Sequence, residues 1–563
     1  MGSTYLSKRA KILLATALLL ISSIAIIYLN RDYVIIKVVG FMARNAFATG
    51  PNKPVTWQSG IWQGTGERPP NIIVILTDDM GFNDVSYHGG GLIETPHIDT
   101  LANQGVRFAN GYAGSAVCAT SRAMLLTGRY STRFGFEFTP TPDQFSPILQ
   151  QLAKSDPMPR KMNFIEVHDT AMEAEDPHAE HKEISFMSKG LPQQEITLAE
   201  ELKRAGYHNL HIGKWHLGRD PEFRPGNQGF DESLLMESGL YLPVDSPDVV
   251  NARNEFAVLD KVQWEVLTYA ASFNDSERFE PNGYLTDYYT DEAVKAIAAN
   301  KDRPLFLYLS HWGIHTPLQA SRADFEAVGD NFKTHRARVY AAMIRAVDRS
   351  VGRVMQALKD NGLDDNTLVI FTSDNGGANY IGMPDINKPY RGWKLSFFEG
   401  GTHVPFIMHW PGKLQAGSYP HPISHLDIMP TALGAAALKP QAEVIDGVNL
   451  LPYLTGKKAG WPHDTLIWRS GHYQAIIKDG WKMQRSDRPE KTRLYHLTDD
   501  PFEKADVSTA HPDKIAELNA LLDSHNKEQA SPMWPTRAEM PIWVDKSLGN
   551  RPTLDDDYIY WPN

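Results

Sequence analysis

Two apolar stretches far apart in the chain each end in residues that could ligate a cation. Asp78 and Asp79 end the run NIIVILTDD, and Asp374 and Asn375 follow the run TLVIFTS. Adjacent carboxylates repel each other unless a cation neutralises them, and carboxylate and amide oxygens are the donors that Ca²⁺ and Mg²⁺ prefer. Taken singly, each pair is better explained as a polar strand end or a turn.

Three further motifs carry groups suited to anion binding and proton transfer. Lys214 and His216 in GKWHLG are two positions apart, so on an extended segment both side chains point the same way. His315 lies in HTPLQA, just after the apolar run PLFLYLS, and Lys394 lies in RGWK. A lysine beside a histidine suits an anionic substrate whose reaction needs a proton transfer. For each motif alone, surface charge or a solvated loop is the simpler interpretation.

Cys118 is the single cysteine among 563 residues and lies in the segment GSAVCATSRAMLLTGRY. One cysteine excludes an intramolecular disulfide and a cysteine-rich zinc site. The residue is therefore either a small buried hydrophobe or a reactive group. Arg122 follows four positions later, so on a helix that begins near Cys118 the two side chains share a face.

The elements that must position these groups follow an alternating pattern. Strand-like runs rich in β-branched residues alternate with helical patterns, the strands at 71–79, 304–310, 367–376 and 404–410 and the helices at 95–106, 197–206 and 337–362. This alternation predicts an α/β fold with a large, mostly parallel mixed sheet sandwiched by helices over residues 70–440. In such sheets the reactive crevice lies outside the carboxyl ends of the strands.

The pattern changes near residue 440. Short apolar segments separated by a Lys-Asp-Gly turn predict antiparallel strands, and HPDKIAELNALLDSHNKEQ predicts an amphipathic helix. We therefore expect a smaller C-terminal α+β subdomain at 441–540 that contains an antiparallel sheet. Residues 541–563 form a predicted C-terminal tail. Its aromatic end, DDDYIYWPN, either packs on the body or stacks on a sugar.

The N-terminal segment indicates a membrane anchor. Residues 12–29 are 18 uncharged, mostly apolar residues, enough to cross a bilayer as a helix, and three basic residues precede them. We expect an uncleaved transmembrane signal-anchor, with 1–11 in the cytoplasm and 30–69 as a membrane-proximal linker. The catalytic domain then lies outside the cytoplasm, in a periplasmic, extracellular or lumenal space. A cleaved signal peptide is the alternative.

Composition excludes two broad classes. The chain is 42% hydrophobic and 22% charged, as in an ordinary folded protein, which argues against disorder. A net charge of -11 and a pI near 6.0 leave no basic footprint for nucleic acid. We expect no nucleic-acid partner.

The order of the motifs along the chain is more specific than any one of them. TDD, CATSR, GKWHLG, HTPLQA, SDNG, RGWK and EGG-x-x-VP occur in this sequence in that order. This series resembles the type I sulfatases of the alkaline phosphatase superfamily over roughly residues 70–535. The late LYHLTDDPFEKADVS resembles the C-terminal subdomain of the same family. The resemblance implies a sulfuric ester hydrolase.

The resemblance also implies the cofactor chemistry. In that family a formylglycine-generating enzyme oxidises the cysteine of the CATSR-like motif, here Cys118, to formylglycine. The hydrated aldehyde attacks sulfur to give a covalent sulfo-enzyme, and its second hydroxyl later expels sulfate. One divalent cation, most often Ca²⁺, is implied, with ligands supplied by Asp78, Asp79, residue 118, Asp374 and Asn375.

The remaining catalytic roles are likewise implied by the resemblance. Arg122 would steady the hydrate, and Asp374 would act as its base. Lys214 and Lys394 would bind sulfate oxygens, which is electrostatic stabilisation by preorganised cations. His216 would take the proton from the second hydroxyl, and His315, with Lys394, would protonate the departing alcohol oxygen.

Two residues depart from the family pattern. Thr120 stands where the oxidised motif usually has proline or alanine, which bears on how efficiently Cys118 is converted. His403 stands where EGG-x-R-x-P would have arginine, so whatever that arginine holds is held differently here.

The substrate remains open between several classes. HTPLQA and the RGWK–EGG arrangement resemble the arylsulfatase and carbohydrate-sulfatase branches, and we favour a sulfated carbohydrate over an aryl sulfate. Segments 140–190 and 240–284 are predicted to wall the leaving-group pocket. The alternatives are a phosphonate monoester or phosphodiester hydrolase of the same superfamily, and a non-catalytic membrane-anchored binding protein that keeps Cys118 as a thiol. A cysteine protease would leave both aspartate pairs unexplained.

Overall fold

The structure is a computed structural model, which describes residues 7–8, 16, 31–46, 48–141, 165–166, 184–536, 538–550, 552–553 and 555–563. Apart from Thr16, the predicted transmembrane segment 12–29 lies outside these residues, as does most of the predicted pocket wall at 140–190. Among the residues described, no helix combines the length and the apolar character needed to cross a bilayer.

The α-helices of the described residues range from 4 to 26 residues in length. They are α1 (Arg31–Ala46), α2 (Pro96–Gln104), α3 (Cys118–Thr127), α4 (Leu198–Lys203), α5 (Val258–Val266), α6 (Leu285–Ala299), α7 (Arg322–Ala327), α8 (His335–Asp360), α9 (Glu399–Thr402), α10 (Ile428–Ala435), α11 (Leu451–Leu454) and α12 (Pro512–Asn526).

The strands of the catalytic region come first along the chain. They are β1 (Asn71–Thr77), β2 (Val106–Phe108), β3 (Gly111–Tyr112), β4 (Ile165–Glu166), β5 (His208–Gly213), β6 (Glu232–Met236), β7 (Val249–Ala252), β8 (Ala271–Phe273), β9 (Leu305–Ser310), β10 (Leu318–Ser321), β11 (Thr367–Ser373), β12 (Phe406–His409), β13 (Gly417–Tyr419) and β14 (Ile423–Ser424). The C-terminal strands are β15 (Thr465–Ser470), β16 (Tyr473–Lys478), β17 (Trp481–Asp487), β18 (Glu490–His496), β19 (Ala538–Trp543) and β20 (Tyr558–Pro562).

The main sheet has nine strands in the order β13-β2-β12-β11-β1-β9-β5-β6-β8. The central strands β11, β1, β9, β5 and β6 run parallel, while β12 and β8 are antiparallel to their neighbours. Every residue of β1 is buried, which explains its unbroken apolar run. Two large apolar clusters pack on the two faces of this sheet. The predicted mostly parallel mixed sheet is confirmed.

The register of the central strands brings their carboxyl ends to one level. Thr77 of β1 pairs with Ser373 of β11, and Leu76 of β1 with Ser310 of β9. Ser310 in turn pairs with Gly213 of β5. The residues that follow these strand ends therefore meet at one edge of the sheet.

The C-terminal region forms a separate four-stranded antiparallel sheet in the order β15-β16-β17-β18. Asp479 and Gly480 connect β16 to β17 with φ angles of 50° and 79°, the left-handed geometry that tight hairpins require. Leu518 and Leu522 of α12 pack on this sheet. The predicted antiparallel subdomain, its Lys-Asp-Gly hairpin and its helix are confirmed.

The predicted C-terminal tail is part of the folded body. β20 pairs with β19 in an antiparallel ladder from Trp543↔Tyr558 to Glu539↔Pro562. Trp561 is fully buried, and its ring lies 5.1 Å from that of Phe397. Of the two expectations for these aromatic residues, packing on the body is the one observed.

Candidate active site

Four strand ends and one helix N-terminus deliver the candidate site residues. Asp78 and Asp79 follow β1, Asp374 and Asn375 follow β11, and Lys214 and His216 follow β5, whereas His315 lies in the loop after β9. Cys118 is the first residue of α3, and Lys394 comes from the loop between β11 and α9. The structure therefore brings all the sequence-predicted site residues to the same edge of the sheet.

Six charged side chains, which we call the catalytic cluster, alternate in sign around Cys118. They are the carboxylates of Asp78, Asp79 and Asp374 and the cations of Arg122, Lys214 and Lys394. Lys214 Nζ lies 2.6 Å from Asp78 Oδ2, and Lys394 Nζ lies 2.6 Å from Asp79 Oδ1. All six side chains are nearly or completely buried. Such burial requires this pairing, because an isolated buried charge is strongly unfavourable.

Arg122 occupies the position that helical spacing predicts, on the Cys118 side of α3. Its Nε and Nη2 donate to Asp374 Oδ2 at 2.9 and 2.7 Å, and Nη2 also reaches Asp78 Oδ2 at 3.3 Å. Nη1 donates to the hydroxyl of Ser310 and to the carbonyl of Lys214. The guanidinium therefore ties together the ends of β1, β11, β9 and β5.

The Cys118 sulfur lies at the centre of the cluster. Lys394 Nζ lies 3.0 Å from Sγ, and the thiol faces Asp78 Oδ1 at 3.5 Å and Asp79 Oδ1 at 3.8 Å. Burial, together with the negative charge of Asp374, raises the pKa of the Cys118 thiol far above its usual range. An unmodified Cys118 would consequently be a poor thiolate nucleophile, which weakens the cysteine protease alternative.

His315 and Lys214 both contact one indole ring. The Trp312 ring lies 4.0 Å from the His315 ring in a stacked arrangement, and Lys214 Nζ lies 4.7 Å from a Trp312 ring centroid. His315 Nδ1 donates to the carbonyl of Thr316 at 2.6 Å, which leaves Nε2 directed at Asp79 Oδ2 at 3.6 Å. Burial lowers the pKa of His315 to about 3, so the ring is neutral at pH 7.

His216 is the least enclosed of the candidate residues. The residue is half-buried, and its Nδ1 has no hydrogen-bond partner among the described residues. Burial and the nearby charges of Lys214 and Arg122 hold the pKa of His216 well below its usual value. A neutral imidazole with one unpartnered nitrogen can accept a proton.

The donor set fits a divalent cation. Ligand atoms of Asp78, Asp79, Cys118 and His315 all lie within 4.8 Å of one another. Asn375 donates through Nδ2 to Asp79 Oδ1 at 2.8 Å, whereas no residue that the structure describes donates to its buried Oδ1. An unsatisfied buried amide oxygen beside carboxylates is the kind of group that an oxygen-coordinated cation would complete. His315, which the sequence assigned to proton transfer, thus also lies within reach of the same cation.

The backbone is strained at three points around the cluster. Asp79, His216 and Leu395 have φ angles of 61°, 66° and 66°. Residues other than glycine rarely adopt this left-handed conformation, and such strain concentrates at functional sites. These left-handed residues turn the chain sharply beside the candidate cation ligands, beside Lys214 and beside Lys394.

Among the residues that contact the cluster, sequence reasoning missed Tyr380 and Trp312. Tyr380 donates from its hydroxyl to Asp79 Oδ2 at 2.8 Å, and Trp312 packs against His315 and Lys214 as described above. Neither residue belongs to a motif that the sequence analysis used. Trp312 could have been suspected from its place between β9 and His315, but nothing in the sequence distinguishes Tyr380 from a core aromatic.

A second buried group of charges, which we call the interdomain cluster, consists of Glu399, His403, Lys482 and Glu503. Glu399 accepts from Lys482 Nζ at 2.7 Å and lies 2.9 Å from His403 Nδ1. Lys482 also lies 3.1 Å from Glu503, whose other oxygen accepts from the backbone N–H of Glu399 at 2.6 Å. His403, at the position where the family pattern has arginine, is thus bound to Glu399.

Comparison with known proteins gives consistent matches. The sulfatase family model matches residues 70–438. The chain is 33% identical over 510 residues to the N-acetylgalactosamine-6-sulfatase of Mus musculus, covering 83% of this chain and 88% of that protein. It is 28% identical over 561 residues to the N-acetylgalactosamine-6-O-sulfatase of Bacteroides thetaiotaomicron, covering 85% and 96%. The solved structure of Ps i-CgsB in complex with k-i-k-neocarrahexaose matches with a TM-score of 0.65 and 30% identity, covering 83% of this chain and 95% of that one.

Proposed function

Because the chain belongs to the sulfatase family and is a sulfuric ester hydrolase, we propose that it releases inorganic sulfate from sulfated carbohydrates. Two similar proteins are named N-acetylgalactosamine-6-sulfatase and N-acetylgalactosamine-6-O-sulfatase, and a third was solved in complex with k-i-k-neocarrahexaose. The observation that carries the proposal is the catalytic cluster around Cys118. Three cations and three carboxylates meet at one buried sulfur atom, which is a suitable environment for a transferring anionic group.

The proposed nucleophile is residue 118 after oxidation of its thiol to formylglycine by a formylglycine-generating enzyme. The modified residue supplies a hydrated aldehyde, whose hydroxyl can attack and whose carbonyl can re-form to release the bound group. The high pKa of the unmodified thiol supports this assignment, because Cys118 itself is poorly suited to attack.

The proposed cation is Ca²⁺, held by Asp78, Asp79, residue 118, Asp374 and Asn375. A bound divalent cation neutralises sulfate charge and lowers the pKa of a coordinated hydroxyl. The unpartnered Oδ1 of Asn375 supports this ligand set. The charges of the catalytic cluster cancel without the cation, so its presence would leave the site net positive and attractive to a sulfate ester.

The chain's own residues divide the remaining work. We assign sulfate binding to Lys214 and Lys394. Their ammonium groups pair with two different carboxylates of the cluster, those of Asp78 and Asp79. Arg122 fixes Asp374 so that this carboxylate is held beside residue 118, where it can accept a proton. His216 is assigned as the acceptor of the later proton through its Nδ1. The leaving alcohol is assigned its proton from Lys394, with His315 beside it, since the neutral His315 ring holds its single proton on Nδ1 and its Nε2 has none to give.

We also propose that the catalytic domain, residues 70–440, lies outside the cytoplasm, held by a membrane anchor at 12–29. The support is the uncharged 18-residue run and the three basic residues that precede it. The C-terminal subdomain at 441–540 then completes the exported unit through the interdomain cluster.

The proposal is tested on full-length protein produced in a host that makes formylglycine. Mass spectrometry of the peptide containing residues 114–130 should detect loss of the thiol and gain of the aldehyde. Sulfate release is then measured on N-acetylgalactosamine 6-sulfate, sulfated oligosaccharides, an aryl sulfate and a phosphodiester. We expect the highest kcat/KM on a sulfated sugar. Fastest turnover of the aryl sulfate would contradict the carbohydrate assignment, and fastest turnover of the phosphodiester would contradict sulfate specificity.

A further inference from the structure

Helix α1 has two apolar faces, and only one of them is covered by described residues. On the covered face, Ile36 packs against the buried Val262 of α5, as do Val258 and Val266. Gly40 lies so close to α5 that a Cβ at this position would be 2.7 Å from the carbonyl oxygen of Glu265. The side chain of Glu265 also pairs with Lys37 at 2.7 Å. This face therefore holds α1 against the body.

The opposite face is apolar and open. Val34, Val38 and Met42 follow each other at helical i, i+4 spacing, and Phe41 lies beside them. Val38 is 51% exposed, and Phe41 and Met42 are each 65% exposed. Of the ten exposed large hydrophobic side chains among the described residues, four belong to this one helix. A contiguous exposed apolar face on a helix marks an interaction site, so this face indicates a missing partner.

We propose that the open face of α1 lies on the surface of a phospholipid bilayer. This inference rests on the proposed anchor, because the uncharged run 12–29 ends two positions before Arg31. Two residue steps span at most about 7 Å, so an embedded 12–29 segment would place the start of α1 at the membrane interface. Amphipathic helices of this kind bury large apolar side chains at the boundary between head groups and acyl chains.

Apolar burial, and not charge, would supply the attraction. The chain carries a net charge of -11, and Lys37 and Arg44 both pair with Glu265. We therefore expect binding to uncharged phosphatidylcholine vesicles, with no requirement for anionic lipid. The contact would hold the exported body close to the membrane surface.

The test uses full-length protein reconstituted in phosphatidylcholine vesicles and labelled at single introduced cysteines with an environment-sensitive fluorophore. Val38→Cys and Met42→Cys report on the open face of α1. Ile61→Cys is the matched control, since Ile61 is an equally exposed apolar residue, 66% exposed, outside the helix. Leu20→Cys reports on the anchor itself. The parent chain, in which Cys118 is buried, gives the labelling background.

We expect a lipid-borne nitroxide near the head groups to quench the labels at 38 and 42 by about twofold or more, and aqueous iodide to quench them little. The label at 61 should respond in the opposite way. If the labels at 38 and 42 were as open to iodide as the label at 61 while the label at 20 was quenched by a mid-chain nitroxide, the anchor would stand and the α1 inference would be overturned. Protection that grew with protein density, without lipid quenching, would identify a second copy as the partner and would also overturn it. Iodide quenching at 20 would instead contradict the anchor.

Discussion

The catalytic cluster and the interdomain cluster are both buried groups of acids and cations, yet the polar atoms that surround them differ in how completely they are paired. In the interdomain cluster each carboxylate oxygen of Glu399 and Glu503 accepts at least one hydrogen bond, with Tyr112 and Gln484 supplying further donors. Beside the catalytic cluster, Asn375 Oδ1 and His216 Nδ1 have no partner within the part of the chain that the structure describes.

This difference separates a structural group from a reactive one. Fully paired buried charges lock two surfaces together, here the α9 segment and strand β17 of the C-terminal sheet. Unpaired atoms beside compensated charges leave capacity for a ligand and for proton transfer. The same kind of substitution should therefore lower activity when it is made in the catalytic cluster and lower stability when it is made in the interdomain cluster.

The largest expected effect is on turnover. Cys118→Ala should lower kcat/KM for a sulfate ester by about 10⁴-fold or more, because removal of a nucleophile leaves only binding and electrostatic stabilisation. The melting temperature should change little. Steady-state kinetics and thermal denaturation check the two expectations. A Cys118→Ala variant with the activity of the parent would remove the basis of the proposed mechanism.

One substitution made in both clusters tests the comparison directly. Lys394→Met should lower kcat by about 10²–10³-fold with a small change in stability when Ca²⁺ is present. Lys482→Met should instead lower the free energy of unfolding by about 3–5 kcal/mol, since it strips the buried Glu399 and Glu503 of their shared cation. Urea denaturation and kinetics on both variants provide the measurement. Equal loss of stability in the two would mean that the clusters do not differ in role.

Chelation should distinguish the clusters by their need for a cation. EDTA should abolish sulfate release and lower the melting temperature, and added Ca²⁺ should restore both. A ligand present at about a thousand times its Kd stabilises the folded state by roughly 4 kcal/mol. Added Ca²⁺ should raise the melting temperature of Lys482→Met by as much as it raises that of the parent. The rise should be smaller for Asp79→Asn. Full activity in EDTA with no residual metal by elemental analysis would contradict the proposed site.

The smallest expected effect is the pH dependence of the interdomain cluster. Burial, reinforced by the charge of Glu399, raises the pKa of Glu503 from 4.5 to about 7. An acid with a raised folded-state pKa binds more protons in the folded state, so its contribution to stability falls as pH rises from about 4.5 to 7. Relative to the parent, Glu503→Gln should lack this fall, a difference of about 1–3 kcal/mol between pH 5 and 7. The free energy of unfolding is measured by urea denaturation as a function of pH. The same pH dependence in the parent and in Glu503→Gln would rule the effect out.

Local sequence patterns predicted the elements of this fold well. The apolar run of β1 and the alternation of strands with helices led to the mixed sheet, and the Lys-Asp-Gly turn led to the C-terminal hairpin. The aspartate pairs were placed at strand ends, where parallel strands present reactive groups. These inferences succeed because burial on both faces of a strand and left-handed turns each leave a signature within a few residues.

Contacts between distant segments were not predictable in the same way. Nothing in the sequence indicates that the Tyr380 hydroxyl binds Asp79, or that Trp312 contacts both His315 and Lys214. His403 could be identified as a departure from the family pattern, but its partner Glu399 and the link to Lys482 could not. The aromatic residues 541–563 were equally consistent with a sugar platform until β20 was seen to pair with β19.

The sequence by itself determined the types of reactive group and their place at strand ends, since residue chemistry and local periodicity are properties of short segments. Only the tertiary structure decided which buried charges compensate one another and which polar atoms remain unpaired. Electrostatic compensation depends on distances of a few ångströms between side chains that are far apart in the chain, such as Lys394 and Asp79 at 2.6 Å. Tertiary packing therefore decides that the interdomain cluster is structural and that the catalytic cluster is reactive.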